Sequence, residues 1–162
     1  MHKTILTSVA VCAAILFGAE ARAQAPAAPP GYGAPITLDQ AKAAVAAAEG
    51  EAKKNGWNLV FAVVGPYGNL IYLQKADIAA NASIEIAQDK ARSSALFRAP
   101  TKAFMERLAK GETYIMALRG ASPVAGGVPI VVGGKVIGAI GASGASALQD
   151  HDAAAAGAAA VK

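Results

Sequence analysis

The sequence predicts an α+β fold in which helices pack on an antiparallel sheet. Two observations carry this. Two hairpin patterns, residues 57–75 and 126–144, each place a pair of short apolar runs around a glycine-containing turn. Helical patterns precede, separate and follow them, giving the order α-ββ-α-α-(β)-ββ-α; consecutive hairpins favour antiparallel pairing.

Thr37 is a good N-cap, and Gln40 completes a capping box. The first helix runs through Ala41 to Lys54, and Asn55-Gly56 ends it. Trp57 to Val64 is β-like, and Leu70 to Lys75 pairs back across Gly65-Pro66-Tyr67-Gly68-Asn69. A second helix starts at Asn81 or Ser83 and reaches Phe97, before Pro100 breaks it. Thr101 then caps a short helix whose Phe104 and Leu108 share a face and which Gly111 closes. Thr113 to Leu118 is read as a short strand or as irregular. Two glycine-bounded strands follow, joined at Gly133-Gly134, where a two-residue turn demands positive φ. Gly138 and Gly141 weaken the second of these as a strand, and their gain is room for a backbone or a ligand to come close. An alanine-rich helix, Ala153 to Val161, ends the chain.

The first 23 residues read as a signal peptide. Lys3 supplies a positive start, Ile5 to Ala19 an apolar run too short to span a bilayer comfortably, and Ala21-Arg22-Ala23 a cleavage site. Residues 24–35, rich in Pro, Ala and Gly, read as a flexible leader, and residues 36–162 as one domain. The expectation is an exported protein, periplasmic or secreted, with no stable membrane span after processing. Processing removes Cys12, so the mature chain has no disulfide or thiol chemistry. The net charge of +4 falls to about +3. With no basic cluster interleaved with aromatics, nucleic acid is excluded as a partner.

Familiar catalytic patterns are missing. No G-x-S-x-G, H-E-x-x-H, C-x-x-C or phosphate-binding G-x-x-x-x-G-K-[ST] occurs. The glycines of 133–144 lie inside strands and open no helix, so they are not a dinucleotide fingerprint. After processing, His151 is the one histidine, between Asp150 and Asp152 at the start of the last helix. A helix dipole alone accounts for acids there; the other reading is a metal ligand, against which neighbouring carboxylates count by favouring the protonated ring.

Gly126-Gly127-Val128-Pro129-Ile130 through Gly138-Ala139-Ile140-Gly141-Ala142-Ser143-Gly144, followed by Gln149-Asp150 and the alanine-rich tail, resembles the C-terminal half of the GlcG/HbpS-like family, a domain also found at the end of PduO-type proteins. Asp89-Lys90-Ala91-Arg92-Ser93-Ser94-Ala95 resembles that family's K-A-R-T-A helix, and residues 57–73 its first hairpin. The chain departs from the pattern at Gly65-Pro66-Tyr67-Gly68, where many members carry an Asp, and at Lys75-Ala76-Asp77, where many carry an Arg-Met-Asp-like triplet. The resemblance implies a profilin-like α/β sandwich, an antiparallel sheet of about five strands flanked by helices. It also implies binding of heme or a related tetrapyrrole by a homo-oligomer. Alanine-rich helices bury little area each, which independently favours self-association.

The resemblance places the second helix along a ligand cleft, where Lys90 or Arg92 can meet a carboxylate such as a heme propionate; without a ligand, both are a solvated helical face. Thr101 is first a helix N-cap, and beside a porphyrin a weak oxygen ligand. Tyr114 and Met116 are stronger iron ligands by chemistry, and equally plain core or rim residues. Gly126-Gly127 frees backbone N–H groups that can cradle an anion, or simply forms a turn. These residues permit three functions: heme binding with a sequestration or redox-sensing role; a small cofactor-independent enzyme holding a small carboxylate or aromatic catabolite at Lys90, Arg92 and Gly126-Gly127; and an accessory structural subunit. The heme reading requires a hollow between the glycine ribbon and the second helix, faced by Lys90 and Gly127.

Overall fold

The structure is a computed structural model describing residues 28–162. The predicted signal peptide and the start of the leader lie outside the described residues. The elements are β1 (Gly31–Tyr32), α1 (Leu38–Lys54), β2 (Val60–Val64), β3 (Leu70–Lys75), α2 (Ser83–Phe97), α3 (Thr101–Ala109), β4 (Gly127–Val132), β5 (Lys135–Ser143) and α4 (Ala147–Ala159). From α1 onward the predicted order holds; β1 before it was not predicted. The stretch read as a short strand or irregular is a 3-10 turn, Thr113–Ala117.

β5 is the central strand. β4 pairs antiparallel along one edge and β2 along the other, and β3 extends the sheet beyond β2. Gly133 and Gly134 turn the β4–β5 hairpin with φ of +56° and +73°, the left-handed pair a two-residue turn needs. β1 joins β5 in parallel, Gly31 opposite Lys135 and Tyr32 opposite Val136. This corrects the reading of residues 31–35 as free leader. The Gly33 N–H donates to the Val136 carbonyl at 2.9 Å and the Ile36 N–H to Ile137 at 2.8 Å.

Helices cover both faces. β2 is buried along its whole length, the mark of a strand covered on both sides, and alternation sorts its residues. Phe61 and Val63 join one core with Ala41, Ala44 and Val45 of α1 and Ala153 and Ala154 of α4. Val60, Ala62 and Val64 face Ala87, Ala91 and Ala95 of α2. Small residues set the spacing. A Cβ on Gly157 of α4 would lie 2.7 Å from the Ala44 carbonyl oxygen, so α1 and α4 touch through backbone. The predicted Thr37/Gln40 capping box is present, and Ser146 and Gln149 form a second one at the start of α4.

Candidate functional site

Sequence reasoning needs a hollow between α2 and the β4–β5 ribbon. That space is filled by α2 itself, which overturns the ligand site expected there; any ligand must bind elsewhere. A Cβ on Gly141 would lie 2.0 Å from the Ala87 carbonyl oxygen, and one on Gly127 would lie 2.2 Å from the Lys90 carbonyl oxygen. The glycines do give close approach, but to a helix backbone.

Lys90 corrects the picture of a solvated face. Its side chain is 1% exposed; its ammonium donates to Asp150 Oδ2 at 2.7 Å and to the Ala142 carbonyl at 3.1 Å. The other Asp150 oxygen accepts the Ala145 N–H at 3.0 Å. Burial pushes the Asp150 carboxyl up, opposed by the Lys90 ammonium and that backbone donor. Lys90 therefore meets a carboxylate, as its chemistry suggested, but one from α4. Gly126 is packed against Lys90 Nζ and the Ala142 carbonyl. The Gly127 N–H, read as part of an anion cradle, donates to Thr101 Oγ1 at 2.9 Å. Thr101 is not the N-cap of α3; Pro100 holds that position, and Thr101 is fully buried as the first helical residue.

Arg92 lies on the opposite side of the same helix. Asp89, Arg92 and Leu96, spaced i, i+3 and i+7, face the Gly120–Pro123 loop across a cleft of about 400 Å³. The Ser122 N–H donates to Ser93 Oγ at 3.0 Å, fastening the loop to α2. Arg92 is 39% exposed; it donates to Gln88 Oε1 at 2.9 Å and pairs with Asp89 at 3.4 Å, which leaves guanidinium donors for a ligand anion.

The remaining candidates stand apart from this cleft's lining. Tyr114 is 54% exposed on the 3-10 turn; its hydroxyl donates to Glu112 at 2.8 Å and contacts Arg107. Met116 is 72% exposed. His151 is half-buried on α4, with Nδ1 enclosed and unpartnered among the described residues. Its imidazole is pushed down from 6.5, chiefly by burial and then by Lys102 of α3, against Asp152 and Glu106. Asp152 does raise it, as expected of a neighbouring acid, but burial and Lys102 outweigh the acids and the net direction is down. Among the described residues, no group of three His, Cys, Asp or Glu can hold a metal ion, and no helix is long and apolar enough to cross a membrane.

Sequence reasoning missed Asp150 as the partner of Lys90, and Leu96 and Ser122 as cleft residues. A signal existed for Lys90: it shares its helical face with Ala87, Ala91 and Ser94, spacing that buries one stripe of a helix. The loop across the cleft has no such periodicity.

A family model described as haem-degrading protein HbpS-like matches residues 36–159. Protein GlcG from Escherichia coli strain K12 is 38% identical over 108 residues, 67% of this chain and 81% of GlcG. The crystal structure of HbpS, 34% identical, superposes with a TM-score of 0.74 over 80% of this chain and 92% of that one. A PduOC:heme complex, at 22% identity and a TM-score of 0.71 over 79% of this chain and 96% of that chain, shares the fold.

Proposed function

This chain belongs to the HbpS-like family, whose description names haem, and on that premise we propose that it binds heme or a related tetrapyrrole at the Arg92 cleft. The observation that carries the reading is the cleft itself, the roomy concavity that sets a guanidinium beside an apolar side chain, Leu96. These residues fit the edge of such a ligand. Arg92 would hold a propionate by charge-assisted hydrogen bonds, and Leu96 would cover part of the ring. The lining offers no histidine, methionine, tyrosine or cysteine, so binding there rests on the macrocycle and its carboxylates, and Tyr114, Met116 and His151 are ligands only if the ring reaches beyond the cleft. Heme, when bound, supplies its iron's redox chemistry. Sequestration or redox sensing is the role proposed for that binding.

Export rests on the pattern of residues 1–23, and self-association on the thin helices together with exposed apolar side chains such as Ile78 and Met116. The enzyme alternative loses its anion cradle, because Lys90 and Gly126-Gly127 face one another and not a substrate.

Hemin titrated into the mature protein and followed by Soret absorbance tests the proposal. A saturable shift is expected, weakened about tenfold in Arg92→Ala, the loss of one charge-assisted contact. The absence of a saturable shift at micromolar protein overturns it. Comparing spectra of Tyr114→Phe, Met116→Leu and His151→Ala then identifies any iron ligand; Thr101, buried and bonded to the Gly127 N–H, is no longer a candidate.

A further inference from the structure

Two tyrosines lie near the α2 wall of the Arg92 cleft, outside its immediate lining. Tyr67, in the β2–β3 turn, is 73% exposed, yet its backbone is fixed. The Gly65 N–H donates to the Asn69 carbonyl at 2.8 Å and the Gly68 N–H to Gly65 at 3.0 Å. The neighbouring Pro66 is fully buried. The turn rests on the cleft wall: a Cβ on Gly68 would lie 3.6 Å from Arg92 Cγ and 3.8 Å from Leu96 Cγ. Tyr32 of β1 is also tied to that wall, its hydroxyl donating to the Leu96 carbonyl at 2.8 Å. The Arg98 guanidinium lies 5.3 Å from the centre of its ring, and the two tyrosine rings are 6.2 Å apart at 35°.

We infer that Tyr67 and Tyr32 form an aromatic shelf that extends the Arg92 cleft and receives the face of a flat conjugated ring bearing carboxylates. The inference rests on reading the Arg92 cleft as the ligand site, and adds residues and a shape requirement to it. An exposed aromatic on a rigid turn offers area at small ordering cost, since only two side-chain torsions must be fixed. The tilt and separation of the rings keep them from covering each other fully. Leu96, 47% exposed, continues the apolar surface toward the cleft. Arg92 supplies the charge: Asp89 holds it at 3.4 Å and Gln88 at 2.9 Å, so further N–H donors meet an incoming carboxylate. An aliphatic dicarboxylate would engage Arg92 and leave the shelf empty. A planar ring uses both.

Iron-free protoporphyrin IX is the probe, because its absorbance and fluorescence report binding without any iron ligand. It is titrated into wild type, Tyr67→Ala, Tyr67→Phe and Arg92→Ala, with thermal melts confirming that the exposed Tyr67 tolerates change. The expectation is an affinity loss of about tenfold in Tyr67→Ala, with Tyr67→Phe staying within about twofold, since the ring and not the hydroxyl makes the contact. Wild-type affinity in Tyr67→Ala, with Arg92→Ala still weakened, overturns the shelf and leaves the cleft standing. Equal losses in Tyr67→Phe and Tyr67→Ala also overturn it. No binding by wild type overturns the shelf and the cleft together.

Discussion

Gly141→Ala asks whether α2 truly sits on the sheet. The added Cβ would lie 2.0 Å from the Ala87 carbonyl oxygen, 2.7 Å from the Ala91 nitrogen and 3.1 Å from the Ala87 carbonyl carbon. All three atoms are backbone, so no rotamer change relieves the clash. Ordinary contact begins near 3.4 Å, and α2 must therefore lift by roughly 1.4 Å at Ala87, a gap that forfeits more than half of each dispersion contact beneath it. Those contacts join Ala87 and Ala91 to Val60, Ala62 and Val64. Overpacking of this kind costs about 3 kcal/mol, which lowers the melting temperature of a domain this size by about 10–15 °C. Far-UV circular dichroism melts measure it. Gly50→Ala is the control. Gly50 lies inside α1 with no heavy atom within 4 Å of the new Cβ, and the change should stabilise by about 0.5–1 kcal/mol. A Gly141→Ala protein melting within about 2 °C of wild type would refute the packing, and would restore the hollow that the structure fills.

The buried ion pair and the histidine yield two further predictions. Lys90→Met leaves the Asp150 carboxylate buried without its cation and should lose about 3–5 kcal/mol in urea unfolding. Lys90→Met/Asp150→Leu should recover much of that, because neither charge remains; a double variant as unstable as the single one refutes the pairing argument. For His151, the folded imidazole is held below 6.5, so between that folded value and 6.5 the unfolded chain binds more protons than the folded one. Stability is thus full above pH 6.5 and is lost as pH falls. Melting temperatures of wild type and His151→Gln, compared from pH 7.5 to 5.5, should show the steeper loss in wild type; parallel curves would rule the effect out.

Much of the scaffold was legible because local chemistry decides it. The Thr37/Gln40 box, the Asn55-Gly56 stop and the Gly133-Gly134 turn each depend on residues within a few positions of one another. Three features depended on distant partners and were read wrongly or missed. Gly31–Tyr32 looks like leader until the edge of β5 offers it a parallel ladder. Thr101 has an N-cap's side chain, but its hydroxyl is claimed by the Gly127 N–H 26 residues away. Glycines inside a strand announce close approach without naming what approaches, and here it is a helix backbone.

The same limit explains the site. The family resemblance makes Lys90 and Arg92 alternatives for one carboxylate. On an α-helix, two residues is about 200° of rotation, so the pair cannot serve a single site. One stripe of α2, carrying Ala87, Lys90, Ala91 and Ser94, is buried, and Lys90 answers the Asp150 charge of α4. The other, carrying Asp89, Arg92 and Leu96, lines the cleft. The inner stripe governs the outer one: Gly141 and Gly127 set the depth at which α2 lies, and that depth fixes where Arg92 meets the turn of Tyr67 and Gly68. A lift of the helix in Gly141→Ala should therefore weaken porphyrin binding even where the protein stays folded, whereas Gly50→Ala should leave binding unchanged.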